Sequence, residues 1–192
     1  MPLPDSAHTA RPWRIHEIAP DFRVEDVWAL PTPGGKDDFA DLVHRVTGHD
    51  LTTQPSPIVR ALFAIRWKLG ELFGWDDDKQ PGDSPGMPSL RDRLPADLRD
   101  TSRPDFPALP FRSLYLTDDE FAAEVANRTM HGVLHLGWVR DNDGEGYHGQ
   151  MAVLVKPNGW LGSAYMAAIK PFRYLIVYPQ LTRTIGREWA HR

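Results

Sequence analysis

Two histidines, His131 and His135, stand four apart in a run from Met130 to Trp138 that alternates as a strand does. On a strand both point to one face, with Cα atoms about 13 Å apart at ~3.3 Å per residue, too far to share a metal ion. The i, i+4 zinc spacing of helices therefore does not apply, and the usual set of three or four ligands is not visible, so no metal is expected. Met130, Gly132, Leu134, Leu136 and Trp138 share one strand face, expected to be core or cavity wall. Thr129, His131, Val133 and His135 share the other, expected to be outer or half-exposed, with the histidines structural or solvated. The sharper alternative makes one of them a general base, which requires a substrate proton within hydrogen-bond reach. Glu124 shares the parity of the apolar face with Arg128 if no turn intervenes. If Asn127-Arg128 is a turn, a surface or rim ion pair is expected instead, because buried charges are costly; the alternative is a buried pair that polarises a ligand.

A second group centres on Pro171. Lys170, Arg173 and Tyr174 flank it, and Phe63, Trp67, Trp160, Tyr165, Phe172 and Tyr178 supply further aromatic area. Such rings serve a core, or with a few polar groups they line a small-molecule cavity. In the cavity reading Trp67, Leu134, Leu136, Trp138, Tyr165, Ile169, Lys170, Arg173 and Tyr174 contact the ligand. His131, His135, Glu124 and Tyr165 are the acid–base candidates if a reaction occurs there.

Other chemistries lack their residues. The chain of 192 residues has no cysteine, hence no disulfide framework, thiolate metal site or thiol nucleophile. Gly34-Gly35-Lys36 lacks the leading glycine and following Ser/Thr of a P-loop, and no G-x-S-x-G or dinucleotide fingerprint occurs, so no cofactor is expected. With 22 basic and 26 acidic residues the net charge is -4, and the basic residues near Arg192 form no stripe that would mark a nucleic-acid partner. No apolar run approaches the ~18 residues of a membrane span, and Met1 to Pro20 lack the apolar stretch of a secretory signal. Cytoplasm is the expected location.

These side chains need a scaffold. Met1 to Pro20 is polar and proline-bearing and is expected to be a flexible arm, with residues 21–192 a single domain. Phe22 to Leu30 reads as a strand in which Phe22, Val24 and Asp26 alternate with Arg23, Glu25 and Val27. A helix follows from Asp37 to Gly48, and a second from Ser56 to Trp75 with Ser56 as N-cap and Pro57 at N1. Asp76 to Pro88 is an acidic surface loop, and Ser89 to Leu94 one helical turn. Phe111–Leu116, Glu120–Ala126, Thr129–Val139 and Tyr147–Val155 read as strands, the second of them also open to a helix, with only the hairpin context favouring strand. Leu161, Tyr165, Ile169, Phe172, Ile176, Leu181, Ile185 and Trp189 then mark a long helix that Pro171 and Pro179 must kink. The loops after Phe111 are too short for parallel crossovers. The fold class is therefore α+β, an antiparallel sheet with a long kinked C-terminal helix packed across it.

The runs from Asn127 to Trp138 and from Lys170 to Pro179 resemble an uncharacterised bacterial family, a domain of unknown function whose relatives also occur fused behind epimerase-like Rossmann domains. The similarity spans Asp21 to Trp189. The order of elements is also similar to the START-like helix-grip superfamily of lipid-transfer domains and polyketide cyclase/aromatase enzymes. That resemblance implies a cavity between sheet and C-terminal helix, and no activity follows from fold alone. The expected function is binding of a hydrophobic or aromatic small molecule there. The alternatives are a cofactor-independent cyclase/aromatase-like enzyme, and a structural or interaction protein with a filled core.

Overall fold

The computed structural model describes residues 1–48, 88–101, 103–106, 109–126, 130–141, 144–159, 170–171 and 173–191. The helix expected from Ser56 to Trp75, the Asn127-Arg128 turn, and Trp67, Tyr165 and Ile169 lie outside them.

Strands β1 (Pro2–Leu3), β2 (Arg23–Ala29), β3 (Arg112–Leu116), β4 (Glu120–Ala126), β5 (Met130–Arg140) and β6 (Tyr147–Pro157) form one antiparallel sheet in the order β1-β2-β6-β5-β4-β3. β3 to β6 form a meander of sequential neighbours, and the early strand β2 adds to the far side of β6. Glu120–Ala126, open to either structure from sequence, is a strand paired along its whole length with β5, from Glu120↔Gly137 to Ala126↔His131.

Alternation gives the sheet two buried faces. One carries Trp28, Phe121, Ala123, Leu136, Trp138 and Met151. Helix Phe39–Gly48 covers it with Phe39, Leu42 and Val43, its start fixed by the Asp38 carboxylate, which accepts the Gly35 amide at 2.8 Å. The C-terminal helix, Tyr178–Ala190, adds a stripe of Tyr178, Thr182, Ile185 and Trp189, and Trp189 Nε1 donates to the Pro33 carbonyl at 2.9 Å. Between its two prolines the chain widens into a π-helical turn, Arg173–Val177. Pro179 has no amide to donate and its ring crowds the preceding turn, and the wider turn takes up that misfit. It lies between Pro171 and Pro179, where a kink was expected.

The opposite face is the correction. In place of a flexible arm, residues 1–20 lie against it. β1 pairs with β2, the Met1 amino group donates to the Ala29 carbonyl at 2.7 Å, and His8, Trp13, Ile15 and Ile18 are buried. Leu90 and Leu98 from two short helical segments, Leu90–Arg93 and Ala96–Arg99, with Leu94 between them, complete the cover over Val133, Ala152 and Leu154. The face expected to be outer is thus a second core layer.

Trp13 packs against Gly137, where a side chain has no room. A Cβ there would sit 2.7 Å from Trp13 Cζ2 and 2.8 Å from Cη2. Gly137→Ala is expected to displace the indole and destabilise by about 1–3 kcal/mol, read as a lower urea midpoint with unchanged slope. A midpoint equal to wild type would mean that the arm is not packed as described.

Candidate functional site

Each of the two carboxylates of β4 that point to the arm side caps a covering segment and holds a histidine. Glu124, 0% exposed, accepts from the Leu90 amide at 2.9 Å and the Ser89 hydroxyl, and lies 2.9 Å from His131 Nε2. Glu120 accepts from the Arg14 amide at 2.9 Å, the Ile15 amide at 3.0 Å and the Tyr115 hydroxyl at 2.5 Å, with His135 Nε2 at 3.0 Å. Burial pushes both carboxyl groups up, but the imidazoles and the donated hydrogen bonds outweigh it and hold them below the ordinary carboxylate value. A carboxylate only accepts, so His135 Nε2 is the donor; its Nδ1 then accepts from His8 Nε2 at 3.1 Å.

His131, His135 and Glu124 are therefore placed otherwise than expected. The histidines are buried, neither outer nor half-exposed, and Glu124 is a buried partner of His131 rather than a rim ion pair. The reversal between β4 and β5 flips the parity: Glu124 pairs in register with Val133 and so shares the histidine face. Glu120, Tyr115 and His8 were missed altogether. One signal was present, since Glu120 and Glu124 repeat at the same spacing of four as His131 and His135, as two diagonal cross-strand pairs in one register require.

The candidate site is on the other face, where two backbone irregularities meet. β2 pairs Val24 with Leu154 and then Asp26 with Val153, so Glu25 is the extra residue of a β-bulge. Val24 and Val27 pack on the arm side, while the bulge turns Asp26, together with Trp28, toward the C-terminal helix. The strand alternation that grouped Asp26 with Phe22 and Val24 breaks here. The π-helical turn faces this point. Asp26 Oδ2 accepts from the Tyr178 hydroxyl at 2.7 Å and pairs with Arg173 Nη1 at 3.3 Å, and Arg173 Nη2 lies 3.7 Å from Glu25 Oε2. Trp28 packs against Tyr174 and Tyr178 at 5.8 and 5.3 Å between ring centroids, and Lys170 Nζ lies over the Tyr174 ring at 5.9 Å.

Burial first, and the Asp26 charge second, push the Tyr174 hydroxyl up to about 12 and the Tyr178 hydroxyl higher still, so both remain protonated donors. Polar valences are left over. Asp26 Oδ1, Trp28 Nε1, Arg173 Nε and Arg173 Nη2 are buried and have no hydrogen-bond partner among the described residues. Beside them along the sheet, in register, come Val153 and then Leu134, both only half-buried although they lie on a core face.

A sequence profile described as "Protein of unknown function (DUF2867)" matches residues 18–180. The chain belongs to this family. The DUF2867 match contains Asp26, Arg173, Tyr174 and Tyr178, and both Glu–His pairs, whereas His8, Trp13 and the two amides capped by Glu120 precede it. No curated protein and no solved structure matches the chain. Among the described residues, no helix is long and apolar enough to cross a membrane.

Of the residues expected to contact a ligand, Arg173 and Tyr174 lie at this site with Lys170 exposed at its edge, and Leu134 stands in the same row of the sheet, two strands from Asp26. Leu136 and Trp138 lie farther along β5. Leu136 is core, and Trp138 donates its Nε1 to the Gly35 carbonyl at 2.9 Å and packs on Phe39 and Trp189. Tyr178 belongs to the aromatic set that could line a cavity, whereas Asp26 and Trp28 were not foreseen as site residues, because the bulge that turns them this way leaves no mark in the residue pattern.

Proposed function

We propose that this DUF2867 chain binds a hydrophobic or aromatic small molecule between the sheet and the C-terminal helix. The observation that carries this reading is the row Asp26, Val153, Leu134. A buried carboxylate stands next to two half-buried apolar side chains on the face that the C-terminal helix covers. An apolar wall with a few convergent polar groups is the common anatomy of a ligand site, and both β-bulges and π-turns concentrate at such sites. The order of elements supports the same reading. Helices separate the first long strand from a meander whose last strand pairs with it, and a long helix follows, as in the helix-grip arrangement.

Acid–base catalysis of the cyclase type receives less support. The histidines and Glu124 are tied to one another on the far face, and the phenols near Asp26 are held protonated.

Titration with the neutral fluorophore N-phenylnaphthylamine tests the binding reading. Saturable enhancement is expected, and Leu134→Trp, which fills the row, is expected to weaken it about tenfold or more while thermal unfolding stays cooperative; about 1.4 kcal/mol of lost contact suffices for that factor. Native mass spectrometry of protein purified from its own host complements it, with a co-purifying apolar molecule expected. No saturable binding together with a clean ligand-free mass would sink the reading in favour of a filled core.

A further inference from the structure

The leftover valences at Asp26 specify the polar end of the ligand, an inference that rests on the binding reading above. Three of the four buried atoms without a hydrogen-bond partner are donors, Trp28 Nε1, Arg173 Nε and Arg173 Nη2, the last only in ion-pair range of Glu25, and one, Asp26 Oδ1, is an acceptor. They belong to side chains fixed by other contacts. Asp26 is 0% exposed and held by Tyr178 and Arg173, and Trp28 is clamped between sheet and Tyr174/Tyr178. A buried polar atom left without a partner is costly, and it discriminates sharply between ligands that satisfy it and those that do not.

Charge narrows the class further. Arg173 faces both Asp26 and Glu25 from inside, and the more exposed Arg23 meets Glu25 from the rim, its Nε 2.5 Å from Oε1, so the two carboxylates are matched by one inner and one rim guanidinium. A carboxylate or phosphate on the ligand would set a further negative charge beside Asp26, and an ammonium would set a positive one beside Arg173. Both like-charge contacts are unfavourable in a desolvated site. A neutral group with a carbonyl acceptor next to one N–H or O–H donor satisfies both sides, the carbonyl toward Arg173 or Trp28 and the hydrogen toward Asp26 Oδ1.

We infer that the ligand is an uncharged aryl or apolar molecule ending in a carboxamide or hydroxy-carbonyl group, recognised by Asp26, Arg173 and Trp28, with its body along Val153 and Leu134.

Calorimetric titration of the full chain with biphenylcarboxamide, the matching methyl ketone, the carboxylate and biphenyl itself tests this. The amide is expected to bind at least about tenfold more tightly than the ketone, which lacks the donor, and than the carboxylate. In Asp26→Asn the Asp26 Oδ1 position becomes an N–H donor, and the amide-over-ketone preference is expected to vanish or invert. Equal affinity for the amide, the ketone and the hydrocarbon in wild type overturns the inference and leaves apolar binding intact. Absence of binding by every member, together with no N-phenylnaphthylamine binding, overturns both. Should Asp26→Asn not fold, the wild-type series alone decides.

Discussion

Glu120→Ala is expected to be among the most destabilising single substitutions in this chain, by roughly 3–5 kcal/mol, because it removes one buried partner from a set of charge-assisted hydrogen bonds. The alanine leaves the Arg14 and Ile15 amides, the Tyr115 hydroxyl and His135 Nε2 without their common acceptor. The last three cannot turn to water, since Ile15, Tyr115 and His135 are each 0% exposed. In a chain of this length such a loss lowers Tm by roughly 10 °C or more. Hydrogen exchange should rise first in residues 13–19, because Glu120 is what caps that turn. A Tm within a couple of degrees of wild type would show that the carboxylate is not bearing on the arm.

The second large effect is on acid stability. The His8 imidazole is lowered from 6.5 to about 3, chiefly by burial and then by His135 and His16, with Glu120 acting weakly the other way. Between those two values the unfolded chain binds a proton that the folded chain does not, so stability rises with pH across the window and is lost as pH falls from 6.5 toward 3. The slope from one such group is at most about 1.4 kcal/mol per pH unit. Glu120 and Glu124 are also depressed from 4.5, so their contribution is full above that value and disappears as pH falls below it. All three act in the same direction, and the curve should steepen below pH 4.5. Urea unfolding across pH 3.5 to 7.5 is the measurement, with His8→Phe as the variant that flattens the limb between 6.5 and 4.5. A wild-type stability that is level through that limb contradicts a buried, neutral His8.

Much of the fold was legible because the chain announces it locally. The alternation in β5 and β6, the Phe39–Gly48 stripe, the Ser89 turn and the last helix all carry a period that a few neighbouring residues define. What remained hidden was decided at a distance. The turns Ser6–Thr9 and Ile15–Ile18 are four residues each, too short for any period, and they exist because His8, Ile15 and Ile18 find a sheet to lie on. The direction of Glu124 depended on a chain reversal that strand parity alone does not cross. Asp26 reached its site through one extra residue in β2, and nothing in Arg-Val-Glu-Asp-Val marks which residue will be the extra one. The candidate site was half legible for the same reason. Lys170, Arg173 and Tyr174 drew attention through Pro171, whereas their partner came from a strand nearly the whole chain away.

That distance has a kinetic consequence. β3 to β6 join nearest neighbours through short connections, so they can zip up as local hairpins, whereas β2 must wait for β6. During synthesis the stretch from Trp13 to Trp28, rich in residues that end up buried, emerges more than a hundred residues before the edge that will accept it. A late closure is therefore the expected course of folding, with its slow step in docking β2 onto β6. The Asp26–Arg173 pair joins that strand to the last helix, and so it is assembled only when the slow step is complete.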